Sequence, residues 1–371
     1  MFIKSGASIR GESHKHKGVD CQDANYLTEK DGIAIAAVAD GLGSSSHSDM
    51  AAQEATKFTV EYCAEKITKN LSEDGILSVI KQSFKDAQFH IERKARTLDY
   101  ELDEVDTTLC LAVFFDGELY YGQAGDSGII ALREDGIFER VTQIDIDDDG
   151  YVEPLCREDK WIFEKYPHRV KSMLLVTDGI WKMLVPNLLK DEKHPLNHLY
   201  LDFYLNNKKL ENATQKQLDE SLKEQITSIP PQNVYHDDKT MIILIDTEIS
   251  VNRQDEEYYK WPDEEKWNDL LKTYEAKLYP HRFQDNQAED ISKSDLDAEK
   301  AEEKEKASDR SDQDMEQTEE KTNADNSNGN NEQNTEEGKE NVGIVKHNVE
   351  NDSDDKVNWI SRQINKIKSS F

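Results

Sequence analysis

The sequence predicts an α+β fold: an antiparallel β-sandwich flanked by helix pairs, in α-β-β-α layers. Strand-like segments occur in clusters joined by tight turns, and segments with helical periodicity occur in pairs, which together favour this class. Residues from about 284 to 355 contain almost no aromatic or large aliphatic side chains. We therefore expect the layered domain to end before this region and a disordered acidic C-terminal tail to follow it.

The N-terminal part of the chain predicts strands followed by the first helix pair. Residues 1–10 and 24–28 are short strand-like segments, and Ile33–Ala39 is an unbroken apolar segment of strand length. Small and apolar residues then recur at helical spacing over Asp49–Lys69 and Asp74–Leu98.

The central part predicts a cluster of strands. The strand-like segments here are Thr107–Phe115, Glu118–Ala124, Gly128–Arg133 and Ile137–Thr142. Asp116-Gly117 and Asp135-Gly136 separate neighbouring strands, and Asp-Gly is a favoured sequence for a two-residue hairpin turn.

After a polar loop that extends to about Trp161, the pattern returns to buried strands and paired helices. The expected elements are a strand at Ser172–Thr177, helices at Ile180–Leu189 and Ala213–Ser228, and a closing strand at Thr240–Thr247. Beyond the domain, aromatic and aliphatic residues in Glu256–Leu278 predict a helical appendage.

Charge is distributed unevenly along the chain. The formal net charge is −31, and acidic residues are concentrated in the expected tail. An acidic surface argues against nucleic acid as the main partner, because binding phosphates requires clustered Lys and Arg. Met1–Gly6 lacks the apolar core of a signal peptide, and no stretch has the length of a transmembrane segment. Four widely spaced cysteines without a CxxC pair are expected to be reduced thiols, so we expect a cytoplasmic protein.

These observations divide the chain into four regions. We expect a globular domain at residues 1–247, the helical appendage at 248–283, a disordered acidic linker at 284–355 and a basic amphipathic segment at 356–371. The last segment could dock on its own domain, bind a groove in a partner protein, contact an anionic membrane or remain an unbound tail. Docking on protein is the favoured interpretation.

Carboxylates at the ends of predicted strands carry the functional signal. Asp40-Gly41 and Asp178-Gly179 each follow an unbroken apolar strand, whereas Asp116-Gly117 and Asp135-Gly136 are interpreted as turns. A buried carboxylate needs a counter-charge, and no Lys or Arg partner is evident nearby in sequence. A divalent cation would neutralise several carboxylates together, and hard oxygen ligands suit Mg²⁺ or Mn²⁺.

Several motifs occur in a characteristic order over residues 1–247. They are Ser13-His14, Cys21-Gln22-Asp23-Ala24, Val38-Ala39-Asp40-Gly41-Leu42-Gly43-Ser44-Ser45, Thr107-Thr108-Leu109, Gly125-Asp126-Ser127, Thr177-Asp178-Gly179-Ile180-Trp181 and Asp237-Asp238-Lys239-Thr240. Together they resemble the metal-dependent protein phosphatase family (protein phosphatase 2C type), in its bacterial-like branch. The resemblance implies hydrolysis of phosphoserine and phosphothreonine by direct attack of a water that bridges two Mn²⁺ or Mg²⁺ ions. It also implies phosphoprotein substrates and a Ser/Thr kinase, or the targets of one, as partners.

The resemblance also implies a role for each matching residue. Asp40 would bridge the two ions and the carbonyl oxygen of Gly41 would bind one of them. Further positions in the metal site are implied at Asp23, Asp178 and Asp237, and a third ion at Asp126.

Three positions depart from the family pattern. The usual phosphate-clamping Arg is missing near His14, and Lys17 is the first candidate to replace it, ahead of Arg10 or Lys15. Leu42 stands where many members have His. His14 is therefore the first candidate for the general acid and His47 the second. The alternative, given equal weight, is that either is a loop histidine without a catalytic role. Lys182 replaces an acidic residue, which predicts a weakened third metal site.

Two alternatives follow from these residues. Asp145, Asp147, Asp149 and Gly150 resemble the start of an EF-hand loop, but Cys156 stands where its bidentate Glu belongs, so an acidic surface loop is favoured. The departures also favour a rival function, in which the chain is a pseudophosphatase or regulatory binding module that retains the fold.

Overall fold

Two antiparallel sheets form the centre of the fold. The structure is a computed structural model that describes residues 1–143, 152–206, 210, 213–229 and 236–278. Its strands are β1 (Phe2–Ile9), β2 (Asp23–Lys30), β3 (Ile33–Asp40), β4 (Leu109–Phe115), β5 (Glu118–Ala124), β6 (Gly128–Arg133), β7 (Phe138–Arg140), β8 (Ile162–Lys165), β9 (Val170–Val176) and β10 (Lys239–Asp246). One sheet has the order β2-β3-β4-β5-β8 and the other β1-β10-β9-β6-β7.

The described residues form eight α-helices, some of which cover the outer faces of the sheets. They are α1 (Glu12–Lys17), α2 (Ser48–Lys66), α3 (Glu73–Leu98), α4 (Asp178–Leu184), α5 (His198–Leu205), α6 (Gln215–Thr227), α7 (Glu256–Tyr259) and α8 (Glu264–Leu278). Helices α2 and α3 share a core with the first sheet, and α4, α5 and α6 share a core with the second. A third apolar core lies between the sheets, so the predicted α-β-β-α layers are confirmed.

The apolar segment that ends at Asp40 is buried on both of its faces. Ala34, Ala36 and Val38 lie in the core between the sheets, while Ile33 and Ile35 pack against the helices. Successive side chains of a strand point to opposite faces, so a strand covered on both sides has an unbroken apolar sequence. This burial places the carboxylate of Asp40 at the edge of the core.

The predicted Asp-Gly turns are present. Asp116 and Gly117 both have positive φ, 51° and 79°, where β4 turns into β5. That is the backbone of a type I′ hairpin turn, which Asp-Gly favours. Gly136 also has a positive φ of 84° between β6 and β7. These two Asp-Gly pairs are therefore turns.

Five features differ from the sequence-based expectation. Helix α1 was not expected, because it has no buried residue and therefore no apolar periodicity. Strand β8 and helix α5 were also missed, the former inside the expected polar loop. Helix α4 stops at Leu184 rather than Leu189, because a residue before proline disfavours helical backbone and Val185 precedes Pro186. The expected helix Glu256–Leu278 is divided into α7 and α8 around Pro262.

The chain divides into two units. Residues 1–267 form the first, and of the second, residues 268–370, the structure describes only the continuation of α8 to Leu278. The expected acidic linker, the amphipathic segment and the EF-hand-like residues Asp145–Gly150 lie outside the described residues. Each described helix is too short or too polar to cross a membrane.

Candidate active site

Asp23 and Asp40 lie opposite each other on neighbouring strands. They are paired in the antiparallel register of β2 and β3. The backbone of Asp40 is fixed by the two residues that precede β4, because its N–H donates to Thr108 Oγ1 (2.9 Å) and its carbonyl accepts from Thr107 Oγ1 (3.0 Å). The register and these hydroxyl contacts hold both carboxylates at one edge of the sheet.

A threonine connects these carboxylates to the second sheet. Thr177, the residue before Asp178, donates from Oγ1 to Asp23 Oδ2 at 2.7 Å. The same Oγ1 accepts from the N–H of Thr240 at 3.1 Å, which ties the start of β10 to the same point. Asp178 therefore begins α4 close to Asp23, and Asp237 lies two residues before β10, the strand that Thr177 contacts.

The glycines that follow two of the aspartates allow close backbone approach. A Cβ on Gly179 would lie 1.9 Å from the backbone oxygen of Asp238, and a Cβ on Gly41 would lie 2.7 Å from Ser48 Cβ. Real side chains do not tolerate such distances, so both positions require glycine. These contacts are the structural reason for glycine after Asp40 and Asp178.

Mutual repulsion shows that the predicted carboxylates form one cluster. Burial raises the pKa of Asp40 well above its usual range, and the charges of Asp23, Asp178, Asp126 and Asp237 raise it further. Burial and then Asp178 raise the pKa of Asp126 to about 6. Burial followed by Asp178 also raises the pKa of Asp237. The structure thus brings together all the aspartates that the sequence analysis selected.

The donor set fits divalent cations. Asp23 Oδ1 and Asp178 Oδ1 are buried and have no hydrogen-bond partner among the described residues. Unsatisfied, mutually repelling carboxylate oxygens are a suitable environment for Mg²⁺ or Mn²⁺, which also keep several water ligands. Within the described ranges, no three His, Cys, Asp or Glu side chains are already arranged around a single ion position.

Lys182 corrects one expectation about this cluster. No nearby basic partner was expected, yet the Lys182 ammonium forms an ion pair with Asp178 from one helical turn away. Burial opposes the charge of Lys182, but Asp178, Asp237 and Asp126 raise its pKa. Lys182 is therefore a cation fixed beside the proposed metal ligands.

Asp238 is a buried residue that the sequence analysis did not select. Its Oδ1 accepts from the N–H of Gly11, and its Oδ2 accepts from the N–H of Gln22, both at 2.6 Å. His14 Nδ1 lies 2.9 Å from Asp238 Oδ2, at ion-pair distance although the N–H direction does not meet hydrogen-bond geometry. Asp238 thus holds His14 next to Asp237. The doubled Asp237-Asp238 sequence was the available signal.

The other two candidates lie in different surroundings. Lys17 is exposed at the end of α1 and has no ion pair within the described part of the chain. His47 stacks on Tyr100, with ring centroids 3.6 Å apart. Of the two histidines, His14 is the one held beside the carboxylate cluster.

Comparison with known proteins gives matches at the level of family and of solved structures. A family model described as protein phosphatase 2C matches residues 10–225. No curated protein matches the chain. The structure is similar to a bacterial serine phosphatase, with 15% identity, 68% of this chain and 100% of the other covered, and a TM-score of 0.43. It is similar to serine/threonine phosphatase Stp1 from Staphylococcus aureus, with 14% sequence identity and a TM-score of 0.43; the match covers 66% of this chain and 95% of Stp1. It is also similar to RsbX in complex with magnesium, with 15% sequence identity and a TM-score of 0.39; the match covers 66% of this chain and 94% of RsbX.

Proposed function

Because the chain belongs to the protein phosphatase 2C family, we propose that it is a metal-dependent Ser/Thr protein phosphatase. Its substrates would be proteins that a Ser/Thr kinase has phosphorylated, and residues 1–247 would carry the activity. The observation that carries the proposal is the gathering of five carboxylates, Asp40 with Asp23, Asp126, Asp178 and Asp237. Burial and then the charges of the other four raise the pKa of Asp40, which follows from this proximity.

Asp40, Gly41, Asp178 and Asp237 are the residues that would hold two Mn²⁺ or Mg²⁺ ions, with Asp23 beside them. When bound, such ions supply Lewis acidity to the phosphoryl group and lower the pKa of water. The protein contributes position: Thr108 and Thr107 fix the backbone of Asp40, and Thr177 fixes the carboxylate of Asp23. Asp126 would belong to a third, weaker site, because Lys182 provides positive charge there.

His14 is proposed to give a proton to the departing Ser or Thr oxygen. Its place is set by Asp238, which is anchored by the backbone of Gly11 and Gln22. Lys17 is retained as the proposed phosphate clamp, since its exposed side chain follows His14 on α1. Phosphoryl transfer depends mainly on such positioning and on charge stabilisation.

The test compares wild-type protein with Asp40→Asn, with and without Mn²⁺, on p-nitrophenyl phosphate and on a phosphothreonine peptide. We expect hydrolysis that requires Mn²⁺ and is lost in the variant, while circular dichroism stays unchanged. Asp191→Asn, an exposed loop change, is the matched control and should keep full activity. A folded wild-type protein that hydrolyses neither substrate with Mn²⁺ would refute the proposal.

One observation favours a second candidate, a pseudophosphatase that binds phosphoproteins without turnover. Lys182 already pairs with Asp178, a position that would otherwise be free for a metal ion. Isothermal titration calorimetry with Mn²⁺ separates the two candidates when it is run beside the activity assay. Metal binding without turnover favours the pseudophosphatase, and metal binding with turnover excludes it.

A further inference from the structure

A long groove leads away from the candidate active site. It has a volume of about 1480 Å³ and extends from Asp126, Asp178 and Lys182 to Lys190, Lys193 and Trp261. Small-molecule sites usually have volumes of roughly 300–1,000 Å³. The groove is therefore larger than a phosphate or a small phosphomonoester requires, and its size suits a polypeptide segment that continues beyond the phosphorylated residue.

Exposed cations without an ion-pair partner among the described residues line this groove. Arg133 is paired with Asp135 and Glu139, and Lys182 is paired with Asp178. Lys190 and Lys193 are exposed and form no ion pair with any residue in the described ranges.

The acidic side chains on the groove wall are largely engaged elsewhere. Asp255 accepts from the N–H of Tyr258 and so caps α7, and Glu257 lies 3.7 Å from Lys260. Glu139 is held by Arg133 and also accepts from Tyr166 Oη. The described wall therefore offers an incoming chain mainly the two lysines and Arg140, which is also exposed and has no ion pair within the described ranges.

The loop that carries both lysines is held firmly in place. The N–H of Asn197 donates to the carbonyl of Leu184 at 2.9 Å, and Trp261 Nε1 donates to the carbonyl of His194 at 2.8 Å. Glu192, between the two lysines, forms an ion pair with Lys266 at 2.8 Å. Because the loop is anchored at both ends and at its centre, its backbone loses little additional freedom when the lysines bind a ligand.

We propose that this groove docks the polypeptide around the phosphorylated residue and selects substrates with acidic residues near that position. Lys190 and Lys193 are specificity-determining residues that attract the acidic flank, while the phosphate enters the proposed metal site at the other end, where bound cations would offset the charge of the carboxylates. The inference rests on the proposed phosphatase function and adds a substrate class to it. Opposite charges at such a rim determine partner choice and association rate more than total affinity.

The test is peptide binding to the full chain with saturating Mn²⁺, measured by fluorescence anisotropy; the phosphate ester is replaced by a non-hydrolysable phosphonate, so turnover is prevented. Two labelled peptides with this phosphothreonine analogue are compared, one with Asp and Glu on both sides of the analogue and one with Lys. We expect the acidic peptide to bind more tightly, and Lys190→Glu/Lys193→Glu to weaken its binding by about tenfold. Lys57→Glu/Lys81→Glu, with the same charge change at exposed lysines on α2 and α3, should have less than a twofold effect.

Several results would overturn the inference. Equal affinity of wild-type protein for both peptides would do so. Equal losses of affinity for the acidic peptide in Lys190→Glu/Lys193→Glu and in Lys57→Glu/Lys81→Glu would also do so. A groove filled by another segment of this chain would give the first of these results. Binding of the acidic peptide by wild-type protein must also fall several-fold between about 50 and about 300 mM NaCl, because exposed charges are screened over that range.

The activity on p-nitrophenyl phosphate distinguishes this inference from the proposed function. This substrate has no peptide flank, so the Lys190→Glu/Lys193→Glu protein should hydrolyse it as wild type does. Selective peptide binding without any hydrolysis would refute the phosphatase function and retain the docking groove. Hydrolysis without selectivity for the acidic peptide would refute the groove alone.

Discussion

Replacing Asp126 with Asn should stabilise the protein when metal is absent. Asp126 is 9% exposed, and burial together with the charge of Asp178 raises its pKa from 3.8 to about 6. One pKa unit corresponds to about 1.4 kcal/mol, so the rise corresponds to about 3 kcal/mol. Because the folded-state pKa is the higher one, the folded protein binds this proton more tightly, and stability is lost as pH rises from 3.8 through 6.

The pH dependence of the difference between the two proteins isolates this group. With a folded pKa of about 6 and an unfolded pKa of 3.8, roughly half of the penalty is present at pH 5 and nearly all of it at pH 7.5. The Asn variant carries no charge and escapes the penalty. We therefore expect it to be more stable than wild type by about 1.5 kcal/mol at pH 5 and by about 3 kcal/mol at pH 7.5.

Urea unfolding in EDTA, followed by tryptophan fluorescence, measures these differences. Asp191→Asn, which changes an exposed aspartate in the loop before α5, is the control and should leave stability unchanged at both pH values. A variant that is less stable than wild type at pH 7.5, or a difference that does not grow with pH, would refute the reasoning. Saturating Mn²⁺ should reverse the order, since wild type then gains more binding free energy than the variant.

Three further predictions concern neighbouring residues. Lys182→Met removes the ammonium beside Asp178. Calorimetry should then show Mn²⁺ binding about fivefold tighter, which is the size of one screened charge repulsion. Lys190→Met is the control, and equal Mn²⁺ affinity of the two variants would contradict this. Gly179→Ala would place a Cβ 1.9 Å from the backbone oxygen of Asp238, so thermal unfolding should show a loss of about 3 kcal/mol in the free energy of unfolding. Gly43→Ala is the control and should have little effect, because no atom lies within 4 Å of its Cβ. Burial lowers the pKa of His198 from 6.5 to about 4, so the stability that its neutral ring contributes is complete above pH 6.5 and is lost as pH falls to 4. In urea unfolding, the stability advantage of wild type over His198→Gln should therefore shrink by up to about 3 kcal/mol over that interval. An advantage that stays constant with pH would exclude the effect.

The layers of the fold could be predicted because burial leaves a periodic signal. Ile33–Ala39 is apolar throughout because β3 is covered on both faces, and Asp116-Gly117 has the backbone that a tight hairpin needs. Helix α1 left no such signal, since none of its residues is buried. The end of α4 could have been found locally, because Pro186 follows Val185.

The candidate site was predictable in its carboxylates but not in their surroundings. Asp40 and Asp178 stand out because each ends an apolar strand. Asp238 and Thr177 do not, because their roles depend on contacts between residues far apart in sequence, such as Thr177 with Asp23. Lys182 was within reach of sequence reasoning, because positions four residues apart on a helix face each other.

Taken with the metal hypothesis, the repulsion in the carboxylate cluster links stability to function. The fold gathers five aspartates although burial and their neighbours' charges raise the pKa of Asp23, Asp40, Asp126 and Asp237, so this arrangement opposes folding without a cation. The three apolar cores oppose that cost, since burying apolar surface is the main favourable contribution to folding. Lys182 offsets only part of the repulsion, through one ion pair with Asp178. A site used only for structure would be more stable with fewer carboxylates, so the retained repulsion supports the proposed cation binding, whose binding energy would return as stability of the folded state.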